Sequence, residues 1–385
     1  MFKVIFWDYT GESAQWAKIF LKEGVEIIRT LRPDDSDQAE VILRGDWNFV
    51  LIFEDKQREV FEEIFKTMRE MNFSTDNIIF AKDFFSWANN PAAVYSLLKP
   101  DTCDQLYRDW NFLNHRRWHK YISASAEGFH YLATAADNTI MWTTYINSQN
   151  QTSNEQRIFH KLCKKYYDIN DNSGYFLDLG ANIGTTGIYF CKKLAPNLKL
   201  LAFEPDNENF KLLRINTILN DMEDRATLVN CGLGDKFCEM TMYIDLNNPG
   251  HNNLTEPKDN VPTETVKIIP LDAYLAKNQI SPSEIKYIWI DTEGFEAQVL
   301  LGAKNLLKEN PAPIFMEFNL MAWNKSGYFE KFVALLKESG YAYFIRVLEM
   351  IQFGKEKVYS IDSLRDWKNS IIEIGSLGDI FLVKA

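Results

Sequence analysis

The sequence predicts an α/β protein: a seven-stranded, doubly wound Rossmann-like sheet, preceded by a small N-terminal α/β domain that is itself Rossmann-like. Three observations predict it. Residues 175–205, YFLDLGANIGTTGIYFCKKLAPNLKLLAFEP, read as strand, glycine turn, helix and strand, one βαβ unit with an acid at each strand's carboxyl end. Apolar runs alternate with amphipathic stretches from there to the C-terminus. Composition is that of a globular chain, 46% hydrophobic and 25% charged over 385 residues, enough for two domains or one large one.

Residues 1–99 read as the small domain. Val4–Trp7, Val25–Ile28, Asn48–Phe53 and Ile78–Phe80 are predicted strands, with helices at Glu12–Lys22 and Arg58–Met71. The turn after the first strand, Asp8-Tyr9-Thr10-Gly11-Glu12, has a single glycine, so a vestigial or oligomer-forming role is expected rather than a second cofactor site. Residues 100–155 read as a connector crowded with aromatic and basic side chains from Tyr107 to Tyr121. Its rings pack in a core or form a platform for an acceptor, with Arg116 or Arg117 meeting an anion. Phe129–Thr134 and Thr139–Tyr145 are predicted to form a hairpin around Asp137-Asn138. Ser148–Glu155 reads as loop, and Ser153 as a cap for a helix Glu155–Tyr166.

Residues 156–385 supply the large sheet. Strands are predicted at 175–178, 198–203, 226–229, 287–290, 314–317, 341–347 and 380–383, with an inserted hairpin of Glu239–Ile244 and Thr265–Ile269. Helices are predicted at Thr186–Leu194, Asn207–Leu219, Phe295–Lys308 and Phe329–Ser339.

In an open parallel sheet, ligands bind at the strands' carboxyl edge. The turn holding Gly180, Gly184 and Gly187 lets backbone approach a ligand closely. Glu204 follows Gly180 by 24 residues, suited to a ribose diol. The spacing G-x-x-x-G-x-x-G is not the dinucleotide G-x-G-x-x-G, and Asp178 would repel a pyrophosphate. The acid suits instead the cationic part of S-adenosylmethionine, and Asn230 or the backbone near Gly232 would meet the adenine edge. A nicotinamide-dependent oxidoreductase of short-chain type is the alternative. Its Tyr-x-x-x-Lys pair is spelled at Tyr95–Lys99 and Tyr189–Lys193, both misplaced for that chemistry. A non-catalytic cofactor-binding assembly module is a third reading.

The runs FLDLGANIGTTGIYF, AFEPDNENFKLL with Asn216 and Asn220, IWIDTEGFEAQVLLGA and PIFMEF occur in an order that resembles the FkbM family of S-adenosylmethionine-dependent methyltransferases. The resemblance runs from about Glu155 to the C-terminus. It implies a class I methyltransferase domain, S-adenosylmethionine as cofactor with S-adenosylhomocysteine as product, and O-methylation of a hydroxyl on a sugar, glycan or similar polyhydroxyl acceptor. The candidate cofactor-binding residues are Asp178, Gly180, Ala181, Asn182, Gly184, Glu204, Pro205, Asn209, Asn230 and Gly232.

Methyl transfer from a sulfonium is an in-line displacement, so a hydroxyl acceptor needs alignment and a base, or a metal. Asp291 and Glu293 at the fourth strand's end are the candidate bases, unless Glu293 and Glu296 merely cap the following helix. Asp291, Glu317 and Asn319 would be oxygen ligands if a divalent ion takes part. His251, in an Asn-rich loop, is a further candidate base. Net charge of −11 and pI near 5.1 disfavour a nucleic-acid partner. Five scattered cysteines suggest reduced thiols and a cytoplasmic location. The N-terminal MFKVIFWD reads as a strand rather than a leader, no membrane span is expected, and the N-terminal domain is a candidate homo-oligomer contact.

Overall fold

The computed structural model describes residues 3–11, 13–14, 17, 26–32, 34–44, 47, 49–53, 66, 78–80, 119–137, 139–169, 171–245, 252–254, 261–318, 323, 327–367 and 378–385. The chain divides into two compact units, Met1–His119 and Lys120–Ala385, where the sequence suggested boundaries at 99 and 155.

The first unit has strands β1 (Lys3–Asp8), β2 (Glu26–Leu31), β3 (Phe49–Phe53) and β4 (Ile78–Phe80), with helix α1 (Gln38–Leu43) between β2 and β3. They form a parallel sheet of order β2-β1-β3-β4. Val4, Ile5 and Phe6 are fully buried, as a central strand covered on both faces requires. The Asp8 carboxylate accepts from the N–H groups of Thr10 (3.0 Å), Gly11 (2.8 Å) and Ser13 (3.2 Å). A protein carboxylate therefore takes the amides that would otherwise greet an anionic ligand. Of the two predicted helices, Ser13, Ala14, Ala17 and Lys66 are helical. The remainder of both, Cys103, the Tyr95–Lys99 spelling and the aromatic cluster before His119 lie outside the described residues.

The second unit opens with a hairpin of β5 (Tyr121–Ala126) and β6 (Phe129–Thr134), then helices α2 (Ile140–Asn147) and α3 (Ser153–Tyr166). This corrects the predicted hairpin. β6 pairs backwards with β5 across Glu127-Gly128, both at positive φ, the geometry of a tight two-residue turn. Asp137 does not turn a hairpin, because its carboxylate accepts from the N–H groups of Thr139 and Ile140 (both 2.9 Å) and starts α2 instead. Ser153 is likewise inside α3 rather than its cap.

The βα alternation follows: β7 (Tyr175–Leu179), α4 (Thr185–Tyr189, continued by a wider π-type turn to Leu194), β8 (Lys199–Phe203), α5 (Asn207–Leu219) and β9 (Ala226–Val229). A small sheet is inserted next, with β10 (Gly232–Leu233) parallel and β11 (Cys238–Tyr243) antiparallel to β12 (Thr263–Ile269). Then come α6 (Leu271–Lys277), β13 (Ile285–Ile290), α7 (Glu296–Leu301), α8 (Lys304–Glu309) and β14 (Ile314–Phe318). The chain ends with α9 (Phe329–Glu338), β15 (Tyr341–Arg346), α10 (Val347–Phe353), β16 (Val358–Ser360) and β17 (Gly378–Lys384). The sheet has eight strands, β16-β15-β17-β14-β13-β7-β8-β9, with β17 inserted antiparallel between β14 and β15. The unpredicted strand is β16, a three-residue edge. The predicted helix 295–308 is broken at Gly302, where a Cβ would lie 2.0 Å from the Gly234 carbonyl oxygen. The Asp272 carboxylate then accepts from the N–H groups of Asn305 and Leu306 to start α8.

Asn216 on α5 and Asn220, the residue that ends it one turn later, act as a surrogate strand for β6. The Asn216 amide accepts from Leu132 N–H (2.7 Å) and donates to Leu132 C=O (3.0 Å) and to Ile183 C=O (2.8 Å). Asn220 does the same with His130 N–H (3.0 Å) and C=O (2.7 Å). Alternate strand residues meet i, i+4 helix positions, so two asparagines fix the hairpin against the sheet's helical layer.

Candidate active site

The carboxyl ends of β7, β8 and β13 open into one cleft, closed on one side by the inserted sheet and on the other by the segment Thr139–Thr152. Gly180 sits at φ +92°, and a Cβ there would lie 1.7 Å from the Asp291 carbonyl oxygen. Two strand ends therefore touch through a position that admits no side chain. The turn is held by hydrogen bonds from Gly180 N–H (3.1 Å) and Ala181 N–H (2.9 Å) to Phe203 C=O.

Glu204 is 6% exposed and lines the cleft. One carboxylate oxygen accepts from Asn182 N–H (2.7 Å), the other from Asp206 N–H (2.8 Å). Burial pushes its pKa up to about 8, against those two bonds. Each oxygen keeps acceptor capacity for a further donor. Asp206 starts α5, accepting from Asn209 N–H at 2.6 Å.

Of the candidates, Gly180, Ala181, Asn182, Glu204, Pro205, Asn209, Gly232, Asp291 and Glu293 all line this cleft. Asp178, Gly184 and Asn230 are not among its lining residues. Asp178, 1% exposed, turns beneath the helix and accepts from Gly187 N–H at 2.9 Å, where a Cβ on Gly187 would clash with it. Burial raises its pKa to about 7. Asn230 braces the neighbouring strand end, donating to the carbonyls of Glu204 (3.0 Å) and Pro205 (3.2 Å). His251 and Asn319 lie outside the described residues. Tyr189 of the second Tyr-x-x-x-Lys spelling is buried, and its hydroxyl accepts from Arg157 at 2.7 Å.

Glu296 is the residue that the sequence reading left as a helix cap. Fully buried, it accepts from Thr292 N–H (3.1 Å) and Gly294 N–H (2.9 Å) with one oxygen, and from the Trp323 indole (3.2 Å) with the other. It thereby closes the loop Thr292–Gly294, at whose tip Glu293 is held at φ +51°. A side chain in that region is strained and persists where neighbours over-determine it.

Behind this loop Glu317 and Asp379 face each other in register on β14 and β17. One Glu317 oxygen is buried without a hydrogen-bond partner. Burial, and then the charges of Asp291, Glu296 and Glu293, hold Glu317 far above the usual carboxylate range. Burial, and then Asp291, raise Asp379 to about 7. Among the described residues no three His, Cys, Asp or Glu side chains are grouped to hold a metal ion.

A carboxyl whose pKa rises on folding binds a proton that the unfolded chain has released. Its contribution is present at acid pH and lost as pH climbs through the folded value. The ligand-free protein is therefore expected to lose stability from about pH 4 to about 8 through Asp178, Glu204 and Asp379, and on to about 10 through Glu317. Glu317→Gln, neutral at every pH, should flatten that decline. Thermal midpoints measured across the window test it, and parallel curves for the two proteins would count against the assignment.

Doubly wound topology, a ligand cleft at the sheet's carboxyl edge and an antiparallel strand inserted near one end define a Rossmann-like methyltransferase. Residues 178–343 match the family described as the methyltransferase FkbM domain. The chain is 26% identical over 215 residues to Methyltransferase sdnD of Sordaria araneosa, spanning 48% of this chain and 80% of that protein. Among solved structures it is similar to Methyltransferase FkbM from Methylobacillus flagellatus KT, at 14% identity and TM-score 0.30, covering 87% of this chain and 83% of the other. It is also similar to M. jannaschii TYW2 in complex with AdoMet, at 11% identity and TM-score 0.35, covering 69% and 88%. Residues 178–343 are thus a methyltransferase domain of FkbM type, as the motifs imply. Among the described residues no helix is long and apolar enough to cross a membrane.

Proposed function

We propose that the protein is an S-adenosylmethionine-dependent O-methyltransferase acting on a hydroxyl of a sugar, glycan or similar polyhydroxyl acceptor. The observation that carries the donor is the pair Gly180 and Glu204. The first gives backbone close approach at a position a Cβ would fill, and the second offers a buried carboxylate at the next strand's end. These residues fit the cofactor's nucleoside. Glu204 would accept from the ribose diol, with Asn209, Pro205 and Gly232 on the walls around it. The bound cofactor supplies a methyl group on a cationic sulfur.

What the chain adds is alignment and a proton acceptor. Asp291 lines the cleft with its backbone against Gly180 and would face the donor's positive charge. Glu293, on the Glu296-braced tip, lines the cleft and would take the acceptor's proton. Asp178 acts from beneath, holding the first turn of the cradle helix through Gly187.

Titration calorimetry with S-adenosylhomocysteine and with NAD(H) tests the donor. Binding of the first in the micromolar range and none of the second is expected. S-adenosylhomocysteine formation in the presence of methyl glycosides, amino sugars and oligosaccharides tests the reaction. Tight NAD(H) binding without S-adenosylhomocysteine binding would end this reading.

A further inference from the structure

The wall Thr139–Thr152 lies outside the residues matched to the family domain, yet Thr139, Ile140, Gln151 and Thr152 all line the cleft. Gln151 is held from both sides. Asn150, 2% exposed, donates to the Thr185 carbonyl (2.7 Å) and the Tyr131 hydroxyl (3.0 Å), and its side-chain oxygen accepts from Thr152 N–H (3.2 Å). The Thr152 hydroxyl meets that of Thr186 at 3.1 Å on the cradle helix. With its neighbours so anchored, Gln151 is half-buried in the cleft, and its amide makes no hydrogen bond to a described residue. A primary amide presented on fixed backbone is a reader of hydroxyls, able both to donate and to accept.

The charge of the cleft narrows what it reads. Its described lining residues include the carboxylates Glu204, Asp291 and Glu293 and no lysine, arginine or histidine. A phosphate or carboxylate on the acceptor would meet the like charge of Asp291 and Glu293 and no cation among the described lining residues.

We infer that the acceptor is a polyhydroxyl compound without a phosphate or carboxylate group and that Gln151 is a specificity-determining residue, hydrogen-bonding one of its hydroxyls. This rests on the polyhydroxyl reading above. The carboxylates of the described lining disfavour phosphorylated and carboxylated sugars. Gln151→Ala removes one neutral hydrogen bond at the acceptor, so the acceptor's KM rises about five- to tenfold. S-adenosylhomocysteine affinity and thermal midpoint stay unchanged. Gln151→Lys moves preference toward phosphorylated acceptors.

The test compares S-adenosylhomocysteine formation by the full-length protein with methyl glycosides, amino sugars and glycosyl phosphates, alongside calorimetry with S-adenosylhomocysteine. Wild-type preference for the methyl glycosides, together with the KM rise in Gln151→Ala at constant donor affinity, is the expected result. Preference for glycosyl phosphates, or an unchanged KM in Gln151→Ala, overturns the inference alone. No turnover of any sugar by wild-type protein that binds S-adenosylhomocysteine overturns the polyhydroxyl reading itself, before any variant is made.

Discussion

Gly180→Ala is expected to abolish measurable donor binding, raising the Kd for S-adenosylhomocysteine more than about a hundredfold. Two costs coincide there. The residue sits at φ +92°, where an L side chain is strained by about 1 kcal/mol. The new methyl would also stand 1.7 Å from the Asp291 carbonyl oxygen and 2.8 Å from its carbon. Neither atom is the end of a flexible side chain. Asp291 N–H donates to Leu179 C=O at 3.0 Å, so the two strand ends cannot part without breaking a sheet bond. One of the two cleft walls must move. Gly128→Ala is the control, because it has a similar φ of +89° with nothing within 4 Å of its Cβ. It pays the conformational cost, about 1 kcal/mol, and should leave donor affinity intact. Calorimetry for affinity and scanning calorimetry for stability separate the effects. Wild-type affinity in Gly180→Ala would show that the donor does not use this turn.

Much of this architecture is legible in the sequence, for a physical reason. Strands buried on both faces are continuous apolar runs, and Tyr175–Leu179, Lys199–Phe203 and Ile285–Ile290 each end at a sheet edge marked by a glycine or an acid. What the sequence could not show is where a side chain points once its strand ends. Asp178 occupies the expected register position, but the absence of a side chain at Gly187 lets its carboxylate turn under the helix instead of into the cleft. The misplaced hairpin is a contest between two turn signals, Glu127-Gly128 and Asp137-Asn138. It was decided by Asp137 spending its carboxylate on helix amides, a use that a propensity reading does not separate from a turn. Asp379 comes beside Glu317 through the antiparallel insertion of the last strand, a pairing written in no local pattern. Gln151 lay in a stretch read as plain polar loop. A polar triplet Asn-Gln-Thr before a helix gives no sign that its outer two residues anchor while the middle one faces a cleft.

Separating Asp291 from Glu293 is the most direct probe of the reaction. Glu293→Gln keeps shape and hydrogen-bonding length but cannot hold the acceptor's proton. A general base contributes roughly 10²- to 10⁴-fold, so kcat is expected to fall by that order while donor affinity changes less than about threefold. Asp291→Asn is expected to act first on the donor, because the residue lines the cleft with its backbone against Gly180 and, on the proposed reading, its charge would face the cationic sulfur. Donor Kd should rise about tenfold, with a smaller loss in kcat at saturating donor. Glu296→Gln completes the set without touching the reactants. Its carboxylate accepts from Thr292 N–H and Gly294 N–H through one oxygen and from Trp323 through the other. An amide can satisfy only one of those two sides, so the strained Glu293 tip would relax. That variant should lower kcat without altering the donor's Kd, as a positioning residue does. Stopped-flow or steady-state measurement of S-adenosylhomocysteine formation on the best acceptor, at saturating donor, distinguishes the three. Full turnover in both Glu293→Gln and Asp291→Asn would mean that neither carboxylate takes the proton, and would move the base to a residue on another wall of the cleft.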